Sequence, residues 1–563
     1  MPTRFSGILR PIACLASGAL LSLAFAPVAF GSLVWIALLP MVAVLWTVKG
    51  KRRGLKGFGL GWLAGFAFFA LNLKWLNTVS WVGALVLPAY LALFFGAFGA
   101  FAATWGNSWN GVEPLGEEGL PGRSRCGCAP LRFAFTNAAL WGGLEWLRGW
   151  LLTGFGWNGL GVGLHGASWL AQTADLFGVT GLSGVVMFVG LLGLQASREF
   201  FLKKRKPLLE IGAIAGVFAA LSIYGVIRLT TLGKGESVTL RALLVQLNIP
   251  QKAARPLWEP EEIHMAYEDE TGKALDALRA KGVKADWVIW PESSLTGRLL
   301  RMPDESWAMW QENIDTIGRV REKDEFTLMM GLTELEGEAV DGGFAMKEHA
   351  HAWNSMVVLP PKSDLMTFRK HHLVFFGETI PLVEQIPLLK KIYEQQAGVE
   401  YSGSYSPGES LDPLALKVGD TNVGVIPSIC FEDTVGRLER KFVRPGPQVI
   451  VNITNDGWFK ESEAAEQHFH NALFRAIELR RPLLRCANTG VTAAVSATGQ
   501  TLQKLVDDKG SNFTRGCLFA ELPIPLKPSF SLYALTGDWP VIGLSLLGLV
   551  IGSRNRTAKT KTS

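Results

Sequence analysis

Charge is scarce in this chain. Asp, Glu, Lys and Arg make up 18% of its 563 residues, against about 25% in a typical soluble protein. A disordered chain has the opposite balance, many charges and few hydrophobic residues, so disorder is excluded. Cysteine is rare, with 6 in all, too few for a disulfide-dense secreted module. Tyrosine is thin, with 7 residues beside 20 Trp and 32 Phe. The 62 Gly are too few for a collagen-like chain of this length, which has glycine at every third position. No internal repeat is evident, and no His or Cys set has zinc-type spacing. What is abundant is apolar: 48% of residues are hydrophobic before glycine is added. That excess argues against a wholly soluble protein, and the length exceeds one domain of about 100–200 residues.

The few charges are unevenly placed. Residues 1–230 hold 18 Lys/Arg and 7 Asp/Glu, while the rest is mildly acidic, leaving a net charge of +6. The basic residues cluster between apolar runs approaching the roughly 20 residues that span a bilayer. These runs are 11–30, 31–48, 57–74, 84–104, 131–148, 180–197 and 208–228, with a last one at 538–552. Basic clusters at Arg4/Arg10, Lys49–Lys56, Arg123/Arg125, Arg198–Lys206 and Arg554–Lys561 all fall on one side if there are eight spans. The positive-inside rule makes that side cytoplasmic. Both termini then lie inside, including a basic tail at 553–563, and the long segment between the last two spans lies outside. The chain start resembles a signal peptide, but the second run follows almost without a gap, as in a membrane hairpin. Basic clusters so placed record topology, not affinity for nucleic acid. The outer loops 74–83 and 149–179 carry Trp75, Trp81, Trp150, Trp157 and Trp169. An interfacial aromatic belt is the simple reading, and a lipid-access surface the functional one. Glu145, in the fifth run, is either functional or merely paired with Arg148.

Near residue 238 the texture changes. β-Branched runs at Val238–Val245, Trp287–Ile289, Thr327–Met330, Met356–Leu359, Val423–Ile426 and Val449–Ile453 read as strands. Amphipathic stretches at 259–281, 305–321 and 463–481 read as helices. The alternation predicts an α/β domain over 238–526. The 106–130 loop reads as an irregular cytoplasmic connection, and its Cys126 and Cys128 form a weak C-x-C metal signal with no second ligand pair. Cys14 lies in a span. Cys430, Cys486 and Cys517 fall in the outer domain, and an odd number leaves at least one thiol free.

Three segments there carry chemistry. In Val288-Ile289-Trp290-Pro291-Glu292-Ser293-Ser294, Pro291 cannot extend a ladder, so Glu292 falls at the strand's C-terminal edge, where α/β domains place their ligand sites. In Phe368-Arg369-Lys370-His371-His372-Leu373-Val374-Phe375-Phe376-Gly377-Glu378, Lys370 lies between a β-rich run and an apolar one. In Gly424-Val425-Ile426-Pro427-Ser428-Ile429-Cys430-Phe431-Glu432-Asp433, a buried-type strand turns polar immediately after Cys430. Taken singly, each has a plainer reading: a surface Glu in a turn, a solvated basic patch of Arg369, Lys370 and the two His, and a buried core Cys.

Taken together, the three segments resemble the nitrilase superfamily with its Glu-Lys-Cys triad. With the membrane runs added, the chain resembles the apolipoprotein N-acyltransferase family. Further matching segments are Leu244–Pro250, Trp353-Asn354-Ser355, Asn452–Phe459 and Arg475–Arg485. The resemblance implies an αββα sandwich beside an eight-helix membrane domain. It also implies a ping-pong transfer of an acyl chain from a phospholipid to the N-terminal amine of a diacylglyceryl-apolipoprotein. Glu292 is then the general base, Lys370 the oxyanion stabiliser and Cys430 the nucleophile. Glu378, Glu432, Asn354, Phe431 and Trp458 match supporting or substrate-binding positions. The implied enzyme needs no cofactor or metal, binds no nucleic acid, acts as a monomer and sits in a bacterial inner membrane with its catalytic domain periplasmic. Phe375 replaces a usual Pro and Phe431 an often-found Tyr, whose hydroxyl is therefore absent here. A membrane-tethered amidase shares the triad but needs only one or two spans. A transporter predicts paired ionisable residues in several spans, and it leaves the three segments unexplained.

Overall fold

The computed structural model describes residues 2–109, 129–252, 255–375, 377–380, 383, 385–397 and 403–560. Arg123, Arg125, Cys126 and Cys128 lie outside the described residues. The chain divides into two compact units, one mainly before Thr231 and after Ala534, the other Thr231–Ala534 with Thr78–Ser80.

The first unit is helical. Its longer helices are Pro2–Ser22, Arg53–Asn72, Trp81–Ala102, Ala129–Arg148, Ala174–Ser197, Leu208–Thr231 and Trp539–Thr560. Among the described residues, Arg53–Asn72, Trp81–Ala102, Ala174–Leu202 and Leu208–Thr231 are long and apolar enough to cross a membrane. The expected run 31–48 is not one helix. It divides into a 3-10 turn, Gly31–Trp35, and a short helix, Leu39–Thr47, with Pro40 in its first turn. Proline fits there because the N–H it lacks would have no helical partner. Nine residues rise only about 14 Å, less than half of a hydrocarbon core of about 30 Å. The run expected at 180–197 begins at Ala174, with a kink at Phe177–Gly178 where Gly178 has φ +73°; regular helix starts beyond it. Helices Arg53–Asn72 and Trp81–Ala102 pack closely because Gly57, Gly61 and Gly65 line the contact. A Cβ on Gly65 would stand 2.7 Å from Phe95 Cβ, so only small residues permit this approach.

Glu145 and Arg148 serve the loop beyond their helix. The Glu145 carboxylate accepts hydrogen bonds from Trp141 Nε1 (2.9 Å) and the Leu160 amide (3.1 Å). The buried Arg148 guanidinium donates to the carbonyls of Phe155 and Trp157 and lies over the Phe69 ring. The outer tryptophans divide: Trp75 and Trp157 are buried against each other, while Trp81, Trp150 and Trp169 are exposed.

In the second unit two sheets stack. One runs, edge to edge, Met366–Arg369, Ala352–Leu359, Thr327–Val340, Trp287–Ile289, Ser237–Gln246, Gly516–Pro525. The other runs Leu414–Val418, Thr421–Ile429, Gln448–Thr454, Leu483–Ala487, Ala493–Val495, Thr501–Lys504. Side chains alternate across a strand, and both faces of the first sheet are apolar. Leu240, Ala242, Leu244, Trp287 and Ile289 pack toward the second sheet, in a core that includes Val425, Ile450 and Leu484. Leu243, Val245, Val288 and Trp290 pack under helices Pro260–Ala280 and Gln311–Arg321. Helix Ala464–Leu479 joins the second sheet through Phe469, Ala476 and Leu479. The helix expected over 305–321 is shorter, because Trp307–Met309 pairs as a strand with Leu299–Arg301.

Candidate active site

Parallel pairing sets which residues meet. Strands Trp287–Ile289 and Thr327–Val340 are parallel, and two antiparallel steps bring Met366–Arg369 back to the same direction. Glu292 and Lys370, each just past its strand, therefore emerge at one edge of the first sheet. Asn354 sits on the intervening strand opposite Thr333, and its carbonyl accepts the Lys370 amide at 2.8 Å. Cys430 follows Thr421–Ile429 of the other sheet directly.

The polar groups converge. Lys370 Nζ lies 2.8 Å from Glu378 Oε1 and 3.7 Å from Glu292 Oε1. Asn354 Nδ2 bridges the same two oxygens at 2.8 and 2.7 Å. The Val374 amide donates to Glu378 Oε2 at 2.9 Å. Lys370 is 1% exposed, so it belongs to no solvated patch. Arg369 is equally committed: it stacks 3.6 Å over the Trp353 ring and pairs with the buried Glu334, which Ser355 Oγ also reaches. Gly331 explains how the Glu292 turn approaches its neighbour strand. A Cβ there would lie 2.6 Å from Glu292 Cα.

Cys430 adopts φ +52°, a left-handed conformation costly for a residue with a Cβ. Two side chains hold the turn. Glu432 Oε1 accepts the amides of His371 (2.7 Å) and His372 (2.9 Å), and its Oε2 accepts that of Ile429 (2.9 Å). It thereby ties the lysine loop to the Cys430 turn. Asn452 Nδ2 donates to the Cys430 carbonyl at 3.1 Å. Phe431 stacks on His372 with centroids 5.8 Å apart. Trp458, partly exposed, stands in the turn Asp456–Phe459 after the next parallel strand.

Burial pushes the Cys430 thiol well above its ordinary value, and Glu292 pushes the same way, while Lys370 opposes both. Burial and Glu292 thus favour the neutral thiol over the thiolate. Burial raises the Glu292 carboxyl, with Lys370 pulling it back. Burial works against the Lys370 ammonium too, but Glu378, Glu292 and Cys430 outweigh it and hold the charge firmly. Burial lifts Glu432 to about 7 despite its backbone donors and Lys370. Among the described residues no group of three or more His, Cys, Asp or Glu is placed to hold a metal ion.

Four further residues at this edge have no role assigned by the sequence, although three of them fall in the segments quoted above. His468 bridges Asp456 Oδ1 (2.7 Å) and Asp433 Oδ1 (2.8 Å), and Arg485 reaches the second oxygen of each at 3.2 Å. All four are essentially inaccessible. The available signal was Arg485, a charge inside the apolar strand Leu483–Ala487.

Known proteins share both units. Residues 17–192 match the apolipoprotein N-acyltransferase N-terminal domain, and residues 241–523 match the carbon-nitrogen hydrolase domain. A protein of Geobacter metallireducens named apolipoprotein N-acyltransferase is 30% identical over 500 residues, covering 86% of this chain and 84% of its own. Proteins of that name from Photobacterium profundum and Shewanella oneidensis are 27% and 29% identical, each spanning 97% of this chain and 95% of theirs. With the membrane-type helices and the carbon-nitrogen hydrolase domain on one polypeptide, the chain belongs to the apolipoprotein N-acyltransferase family.

Proposed function

We propose that this protein transfers an acyl chain from a membrane phospholipid to the α-amino group of an S-diacylglyceryl-cysteine at the N-terminus of an apolipoprotein. The observation that carries the reading is that the strained, partly exposed Cys430 interacts with the buried Glu292 and Lys370, which Glu378 and Asn354 hold together. In the first half-reaction Glu292 takes the Cys430 proton as sulfur attacks the ester carbonyl. Lys370 stabilises the oxyanion. The C–O bond breaks, the proton passes from Glu292 to the departing alkoxide, and a lysophospholipid leaves a thioester on Cys430. In the second, the lipoprotein amine attacks the thioester carbonyl, Glu292 takes a proton from the nitrogen, the C–S bond breaks, and that proton passes to the leaving thiolate, giving an amide and the free thiol. Asn354 and Glu378 hold Glu292 and Lys370 in register. Glu432 orients the nucleophile turn, and Phe431 and Trp458 offer apolar surface to the lipid substrates.

In this reading the apolar runs cross a bacterial inner membrane, 31–48 doing so as a 3-10 turn followed by a short helix rather than as one helix, both termini are cytoplasmic and the catalytic unit is periplasmic. The basic clusters between the apolar runs support that orientation. The protein works as a monomer. Two lipid substrates, and a thioester that water would hydrolyse, favour a site served from the bilayer.

The test is Cys430→Ser, purified and incubated with phospholipid and a diacylglyceryl lipopeptide. Intact mass should show no acyl gain on the variant and no N-acylated lipopeptide. A normal rate of lipopeptide N-acylation would refute the assignment.

A further inference from the structure

The buried quartet Asp433, Asp456, His468 and Arg485 joins four elements around the nucleophile. Asp433 lies on the turn that begins with Cys430, and Asp456 on the turn that carries Trp458. His468 comes from helix Ala464–Leu479 and Arg485 from strand Leu483–Ala487. Next to Arg485, Cys486 Sγ contacts the carbonyl of Ile289, the last residue of the strand leading to Glu292. The quartet thus joins the turn of Cys430 to the strand Leu483–Ala487, whose Cys486 touches the strand before Glu292.

We propose that His468 is a positioning residue for Cys430, held as an imidazolium between Asp433 and Asp456 so that it fixes the strained nucleophile turn and cancels carboxylate charge beside the sulfur. The inference rests on the acyl-transfer reading above. Each ring nitrogen faces a carboxylate oxygen, at 2.7 and 2.8 Å, which favours the doubly protonated ring, while Arg485 Nη2 stands 2.9 Å from Nδ1 and works against that charge. Consistently, burial lowers His468 but Asp433 and Asp456 outweigh it, bringing it to about 9. With Arg485 the quartet is neutral. The charged groups acting on Cys430 are Glu292, Lys370, Asp456 and Glu378, and Asp456 lifts the thiol. Behind Asp433 stand Arg475 and Glu439, the latter raised well above the carboxylate range by burial. Removing the imidazolium leaves the quartet with one excess negative charge. Added negative charge at Asp456 lifts the Cys430 thiol, so the rising limb of the acylation profile moves to higher pH.

The experiment follows single-turnover acylation of Cys430 by intact mass in phospholipid–detergent micelles, from about pH 5.5 to about pH 9. His468→Asn is expected to shift the rising limb upward by about one pH unit. The double variant His468→Asn/Asp456→Asn, neutral again, is expected to return it while remaining less stable than wild type. A merely structural role lowers thermal stability in both and moves neither limb. A folded His468→Asn protein with an unshifted profile overturns the proposal. If that variant does not fold, Asp456→Asn alone, with the opposite charge change, is expected to shift the limb downward, and an unmoved limb overturns the proposal equally. Wild-type protein that gains no acyl mass would instead sink the acyl-transfer reading itself.

Discussion

Replacing Lys370 with Met keeps most of the side-chain stem and removes one charge from the cage. The ammonium sits 2.8 Å from Glu378 and 3.7 Å from Glu292. At an effective dielectric of about 20, unit charges so placed attract by roughly 6 and roughly 4 kcal/mol. Desolvation of three buried groups offsets much of that. Deleting one partner nevertheless leaves two carboxylates sharing Asn354 Nδ2, a loss of about 3–5 kcal/mol. The variant can recover part of it by binding a proton, and Glu292, already raised by burial, is the site that takes it. A group whose folded value is raised adds stability below its unfolded value, and that stability is lost as pH rises through the folded value. Lys370→Met should therefore lose thermal stability more steeply than wild type as pH rises from about 5 to about 8. A protonated Glu292 is no base, and the oxyanion has lost its cation. Acyl-enzyme formation at neutral pH should fall at least about 100-fold. The assay pairs intact-mass kinetics with thermal unfolding in detergent. Acylation within about tenfold of wild type would refute the roles given to Lys370.

Other expectations follow from the same geometry. Gly331→Ala puts a Cβ 2.6 Å from Glu292 Cα, so Glu292 must move, and acylation kinetics should drop by about 10- to 100-fold with Cys430 still alkylatable. Glu432, raised to about 7 from 4.5, contributes stability below about 4.5 that disappears as pH rises through about 7, roughly 3 kcal/mol in all. Melting curves of Glu432→Gln should therefore vary less with pH than wild type across that window, and parallel curves would count against the assignment. Arg148→Met strands the carbonyls of Phe155 and Trp157, and a loss of roughly 2–4 kcal/mol is expected for two bonds to a buried cation. Limited proteolysis at 149–164 should detect the loosened loop.

Much of the catalytic unit is legible in the pattern of residues. Trp287–Ile289 has the expected limits, and the strands expected at Val423–Ile426 and Val449–Ile453 extend by only a few residues, because β-branched runs bounded by polar residues have little alternative. The strands Met366–Arg369 and Gly516–Pro525 went unread. The first is four residues long, and the second mixes Glu521, Pro523 and Pro525 into its run, so neither has a β signature without a partner. In the first unit, hydropathy marked four runs that are long apolar helices, but could not show that 31–48 breaks between Trp35 and Leu39.

Sequence alone determined that two unlike parts share one chain and that Glu292 and Cys430 stand at strand ends. Those features are local: composition, period and a proline that ends a ladder. Only the tertiary structure decided that Lys370 is buried between two carboxylates, that Glu432 fastens the lysine loop to the Cys430 turn, and that His468 and Arg485 bridge Asp433 and Asp456. Such pairings join residues tens of positions apart through strand order and register. The energy of a buried charge depends on what the fold sets beside it, and no local pattern carries that information.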